Sequence, residues 1–129
     1  MALELHGTTG VDLIQDGTVV TADLHSDVNS GVAKAWVNFN GTGTVAIRES
    51  FNVSSITDNG TGDYTINFTN AMTDANYSTV YTTGDVDGAN YWGPIAYTNT
   101  QSASGVRVRN NFATGTFYDT STNNIAVFR

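Results

Sequence analysis

The chain has 129 residues and no cysteine, which fits one domain and removes disulfides and thiol chemistry from consideration. Charged residues make up 13% of it and the net charge is −7, with no basic stripe of the kind a general nucleic-acid binder presents. Apolar residues at 40% argue against disorder. No apolar run approaches membrane-spanning length and no basic region precedes an apolar stretch at the N-terminus, so neither membrane insertion nor a secretory leader is expected.

Residues 1–32 read as an N-terminal arm and residues 33–129 as a β domain. The boundary near Gly31 is set by charge. Glu4, Asp12, Asp16, Asp23 and Asp27 precede it with no Lys or Arg, whereas from Lys34 onward seven acids face five bases. Both histidines, His6 and His25, lie in the arm at no spacing that brings them to one metal. Asp16-Gly17 is a two-residue hairpin signal between apolar runs, and Thr21 suits the cap of a short helix through His25. An arm this short buries Leu13, Val19 and Leu24 only partly by itself. Packing against two further copies of the chain solves that, which makes these three residues oligomer-interface candidates; docking on the domain is the plain alternative.

The domain reads as about nine short strands: Ala33–Phe39, Thr44–Ile47, Ser50–Thr57, Asp63–Thr69, Tyr77–Thr82, Tyr91–Thr98, Gly105–Arg109, Asn111–Tyr118 and Asn124–Phe128. In Tyr64-Thr65-Ile66-Asn67-Phe68-Thr69 apolar and polar residues alternate without exception, the mark of a half-buried strand. Glycine- and asparagine-rich turns separate the strands. The expected fold is all-β, an antiparallel sandwich or jelly-roll-like domain with an extended N-terminal arm.

Two strands depart from simple patterning. Ala33, Ala35, Val37 and Phe39 make one apolar face, which leaves Trp36 on the polar side with Lys34 and Asn38. An exposed indole leaves a large apolar area in water, so either a loop or the arm covers it, or it packs across a subunit interface. In the second strand, Arg107 and Arg109 alternate with Val106 and Val108 and share a face. Ordinary ion pairs to nearby Asp are the plain reading; the functional one is a small cationic patch suited to carboxylate or phosphate.

Catalytic and metal constellations are thin, and no catalytic residue is assigned. Asp58 and Asp63 flank a turn, where Asp beside Gly and Asn is ordinary turn chemistry, and Glu49 next to Arg48 suggests a local ion pair. Asp85-Val86-Asp87-Gly88-Ala89-Asn90 looks like part of a calcium loop but lacks its closing Glu, so no metal and no cofactor are expected.

The richest candidate surface lies around Gly84–Pro94 and Asn99–Ser104. Tyr81, Tyr91, Trp92 and Tyr97 surround an acidic loop. Tyr91 and Trp92 are candidate receptor-binding platforms. Asp85, Asp87 and Asn90 are their polar partners, and Arg107 is an added anionic contact. Flat rings beside hydrogen-bonding groups suit a sugar, although aromatics also dominate cores.

The block Ala33–Met72, AKAWVNFNGTGTVAI followed by RESFNVSSITDNGTGDYTINFTNAM, resembles the C-terminal domains of tailed-bacteriophage tail fibres. The likeness extends loosely to Ile125-Ala126-Val127-Phe128, and DGTVVTADLHSDV in the arm resembles a unit that recurs in fibre shafts. The resemblance implies a non-enzymatic, homotrimeric, receptor-contacting tip. It would be assembled in the host cytoplasm with other virion proteins and act outside the cell on a host-surface glycan or outer-membrane component. Tyr77–Asn124 carries no such likeness and is where receptor specificity would vary. Tail fibres carry a long shaft, whereas only about thirty residues precede this domain. A structural virion protein, such as a trimeric capsid decoration or tail-tip subunit, is the alternative. A sugar-processing enzyme is a third class, which release of reducing ends from host polysaccharide would reveal.

Overall fold

Period-two alternation turns into eight strands in the computed structural model, which describes residues 31–84, 95–111 and 115–129. They are β1 (Ala33–Asn40), β2 (Ala46–Phe51), β3 (Val53–Gly60), β4 (Asp63–Phe68), β5 (Ser78–Thr83), β6 (Ile95–Ser102), β7 (Gly105–Asn111) and β8 (Asn123–Phe128). The strands form two antiparallel four-stranded sheets. The first has the order β2-β1-β8-β5 and the second β3-β4-β7-β6. The all-β expectation holds, and the arrangement is that of a β-sandwich. The arm expected over residues 1–32 lies outside the described residues up to position 30.

The inner strands of each sheet supply the core. Val37 and Phe39 of β1 and Ile125 and Val127 of β8 face Tyr64 and Ile66 of β4 and Val106 and Val108 of β7, all essentially out of solvent. Each such side chain contributes roughly 1.5–3 kcal/mol on burial. Phe39 and Tyr64 meet edge to face with ring centres 5.1 Å apart. The alternation read in Tyr64–Thr69 therefore points Tyr64, Ile66 and Phe68 inward and Thr65 and Asn67 outward.

The strand expected over Thr44–Ile47 lies instead at Ala46–Phe51, and three further departures have identifiable reasons. The expected strand Ser50–Thr57 is cut at Asn52, where a φ of 55° turns the chain from the first sheet into the second. Asparagine tolerates this left-handed conformation better than most residues. Its side chain secures the corner: Nδ2 donates to the Lys34 and Asn70 carbonyls at 3.0 and 3.1 Å, and Oδ1 accepts from the Asn70 amide at 2.8 Å. β6 runs on to Ser102, through residues read as the loop Asn99–Ser104. Polar composition hid a period-two pattern there: Thr100 and Ser102 point outward while Gln101 turns in and donates to Tyr77 O and Thr79 Oγ1 of β5. The expected strand Asn111–Tyr118 is absent from the described residues, apart from a lone bridge between Asn111 and Phe117. Gly115, at a φ of 83°, turns the chain back on β7.

A buried polar hub fixes that return segment. Asn110, Thr120 and Asn123 are fully buried and bond to one another: Asn110 Nδ2 donates to Asn123 Oδ1 at 3.0 Å, as does Thr120 Oγ1 at 2.8 Å. The Tyr81 hydroxyl joins them through Asn110 and Asn123. Burial pushes the Tyr81 phenol well above its ordinary pKa, which keeps it a hydrogen-bond donor. Such a hub is stabilising only because its members satisfy one another.

Candidate functional site

The outer face of the second sheet is polar because the residues alternating with its core positions are Ser, Thr, Asn and Arg. Antiparallel pairing lines them up in rows across the strands. One row is Thr57, Thr65, Arg107, Thr100; the next is Ser55, Asn67, Gly105, Ser102; a third runs from Gly60 through Asp63 and Arg109 to Tyr97. Residues directly opposite on neighbouring strands share a face and touch, so each row is one continuous strip.

An open cleft of about 240 Å³ lies over the middle of this face. Thr65 and Asn67 of β4, Thr100 and Ser102 of β6, and Arg107 of β7 line it, with Ser104 at the hairpin end. Gly105 lines its lower end. A Cβ there would stand 2.5 Å from the Ile66 carbonyl oxygen, so β7 approaches β4 more closely than any side chain allows.

The cleft's groups are held in place. Asn67 Nδ2 donates to Ser55 Oγ at 3.1 Å and Thr57 Oγ1 at 3.0 Å, and Ser102 Oγ donates to the Gly105 carbonyl at 3.1 Å. The β6–β7 turn is anchored from outside: Phe68 N donates to Ser104 O at 2.9 Å and Met72 N to Ala103 O at 2.8 Å. Hydroxyls and a carboxamide on a rigid sheet form a preorganised polar surface, with less ordering needed on binding than a loop would require.

Arg107 and Arg109 converge on one carboxylate. Asp63 Oδ1 accepts from Arg107 Nε at 2.7 Å, and Oδ2 accepts from Arg107 Nη2 at 2.8 Å and Arg109 Nε at 2.7 Å. The bidentate Arg107 contact is the main influence holding the Asp63 carboxyl below its usual pKa, with Arg109 adding to it against the effect of burial. Asp63 is 9% exposed. The ion-pair reading of the two arginines is therefore what the geometry shows, and both also remain on the outer face. The Arg109 guanidinium stands 5.6 Å from the centre of the Phe117 ring, a cation–π arrangement.

The sequence-derived site residues fall unequally. Asp85, Asp87, Asn90, Tyr91 and Trp92 lie outside the described residues, as do Leu13, Val19 and Leu24. Arg107 lines the cleft together with Thr100 and Ser102 from the stretch expected as the loop Asn99–Ser104. Of the flanking tyrosines, Tyr81 points inward to the polar hub and Tyr97 lies on the outer face beside Arg109. Asp58 Oδ1 accepts from Gly60 N at 2.9 Å, the turn role expected of it. Arg48 donates to Asn38 Oδ1 and the Ser121 carbonyl, and no ion pair with Glu49 forms among the described residues. No group of three or more His, Cys, Asp or Glu converges as a metal site among the described residues.

Trp36 heads a different surface. On the outer face of the first sheet, pairing aligns Phe51, Trp36, Ala126 and Val80 in one row across all four strands. Phe51 and Val80 are about half exposed, and Trp36 is 37% exposed. The sequence singled out Trp36 alone. Its row-mates lie 15, 44 and 90 positions away and declare themselves only once the register is known.

No family model, no curated protein and no solved structure matches this chain.

Proposed function

We propose that this chain is the receptor-contacting tip of a tailed-bacteriophage fibre, a non-enzymatic attachment module that holds a host-surface glycan on the outer face of its second sheet. The observation that carries the reading is the cleft itself. Thr65, Asn67, Thr100, Ser102 and Arg107 offer fixed donors and acceptors on an open surface, and a sugar, with hydroxyls around its ring, matches that display. The resemblance of Ala33–Met72 to tail-fibre tips supports the virion setting. Attachment needs binding alone, so the module works without cofactor or metal and acts outside the cell. It functions as a homotrimer, joined through the row headed by Trp36.

The test is binding of the 129-residue chain to surface polysaccharides from a panel of bacteria. Replacing Thr100 with Val and Ser102 with Ala removes two cleft hydroxyls, each bond contributing about 1 kcal/mol, so the double variant should bind about thirtyfold more weakly. Undiminished polysaccharide binding by that variant would move the site elsewhere, and absence of any polysaccharide binding would remove the attachment reading.

The second reading, a structural virion subunit, draws on the row Phe51, Trp36, Ala126, Val80, an apolar strip suited to protein packing. It requires tight binding to capsids or tails that lack the chain and none to host cells.

A further inference from the structure

We propose that the cleft takes an acidic sugar, a uronic or sialic acid residue of a surface polysaccharide, with its carboxylate seated on Arg107 and Arg109. This rests on the attachment reading and adds the charge of the ligand to it. Two guanidiniums share one carboxylate at Asp63, which leaves a local excess of one positive charge on a chain whose net charge is −7. A carboxylate balances that excess singly, whereas a doubly charged phosphate overshoots it.

The unspent charged donors are those of the two arginines. Asp63 has both oxygens on arginine nitrogens and is nearly buried, so its charge is offset within the cluster and its oxygens are closed to a ligand. Arg107 uses Nε and Nη2 on Asp63 and Arg109 uses Nε; among the described residues, Arg107 Nη1 and both Arg109 Nη nitrogens meet no acceptor. The side chains of Arg107 and Arg109 are 37% and 28% exposed, respectively. A guanidinium fork matches the planar carboxylate of a sugar acid.

The neighbours complete the fit. Arg107 stands in a row between Thr65 and Thr100, one strand to either side and so roughly 10 Å apart. That span admits one pyranose ring, with a hydroxyl donor at each side and the guanidinium beneath. Tyr97 lies beside Arg109 in the adjacent row, an aromatic ring next to the carboxylate end. A neutral sugar would use the hydroxyls and leave the remaining guanidinium donors to water.

The experiment titrates the 129-residue chain with glucuronate, galacturonate and N-acetylneuraminate glycosides, each against its own methyl ester, by calorimetry and by the amide shifts of Thr65, Thr100 and Arg107. At least one acid should bind about tenfold more tightly than its ester, the scale of a charge-assisted hydrogen bond. That advantage should shrink in half-molar salt. Arg107→Lys keeps the charge and loses the fork; it should erase most of the acid-over-ester preference. If that variant fails to fold, the acid-against-ester ratio in the unaltered chain decides alone. Equal affinity for acid and ester with the cleft amides shifting overturns the acidic class and leaves the attachment reading in place. Tighter binding of galactose 6-phosphate at the same amides also overturns it. No shift at the cleft with any of these sugars overturns both.

Discussion

The two outer faces of this sandwich obey the same period-two rule and come out chemically opposite. On the first sheet the outward positions gather Phe51, Trp36, Ala126 and Val80 into an apolar strip. On the second they gather threonines, serines, an asparagine and two arginines around a cleft. Apolar area gains by meeting another protein surface, whatever its fine detail, because the hydrophobic effect is non-directional. Fixed hydrogen-bonding groups gain only when a partner satisfies their geometry, and so they select. The contrast suggests a division of labour in which one sheet assembles and the other recognises.

The strongest test of the polar face is to remove the group beneath it. Asp63→Ala leaves Arg107 and Arg109 side by side without their shared partner; the carboxylate is nearly buried but both guanidiniums are part-exposed, so the loss should destabilise the domain by about 2 kcal/mol. The pH dependence follows from the sign of the shift. The folded carboxyl has a lowered pKa, so its stabilisation is present above the unfolded pKa and is lost as pH falls through the folded value. Denaturant melts should show the unaltered domain weakening in acid and the Asp63→Ala variant weakening less, with Asp74, paired to Arg129, supplying part of the remainder. An unchanged midpoint in the variant at neutral pH would mean that Asp63 is incidental to this face.

The apolar face is tested by the double substitution Trp36→Ser with Phe51→Ser in the full chain. If the strip joins copies, removing two adjacent rings should cost the interface about 2 kcal/mol or more, shifting the assembly toward monomer at micromolar concentration in light scattering. Folding of the monomer should weaken less than assembly, since Phe51 is about half exposed and Trp36 is 37% exposed. A monomeric unaltered chain, or a trimer that ignores the substitution, would remove the assembling half of the contrast.

How these faces emerge explains what the amino-acid order discloses. Inward positions are predictable one strand at a time, because Val37, Ile66 or Val127 is apolar in its own local pattern. Rows are not. Arg107 meets Thr65 and Thr100 only because β4, β7 and β6 lie side by side in a fixed register, and that is a property of the whole sheet. The stretch from Asn99 to Ser102 was obscured for a related reason: its outward residues are as polar as a loop, and only the inward Gln101, bonded to β5, reveals a strand. At Asn52 a single left-handed residue breaks a pattern that otherwise continues from β2 into β3.

A smaller effect separates recognition from stability. Thr100→Val preserves shape and deletes one exposed hydroxyl at the rim of the cleft. Affinity for the glycan should fall by about 1 kcal/mol, the value of one hydrogen bond, while the melting midpoint stays put. A large loss of stability would show that Thr100 belongs to the architecture of β6 and not to a site.

The smallest expected effect asks whether the faces are independent. Trp36 and Thr100 project from opposite outer faces with the packed core between them. Substitutions that share no partner usually add within about 0.5 kcal/mol. A cycle combining Trp36→Ser with Thr100→Val should therefore show glycan affinity per binding site unchanged by the Trp36 substitution and assembly unchanged by the Thr100 substitution. Multivalent binding to cells would still drop when the assembly dissociates, because avidity depends on linked copies and not on the contacts of each one. The measurement that matters is accordingly made with a soluble monovalent sugar. A coupling well beyond 0.5 kcal/mol there would mean that the sandwich transmits assembly to recognition, with the buried hub of Asn110, Thr120 and Asn123 as the first place to look for the link.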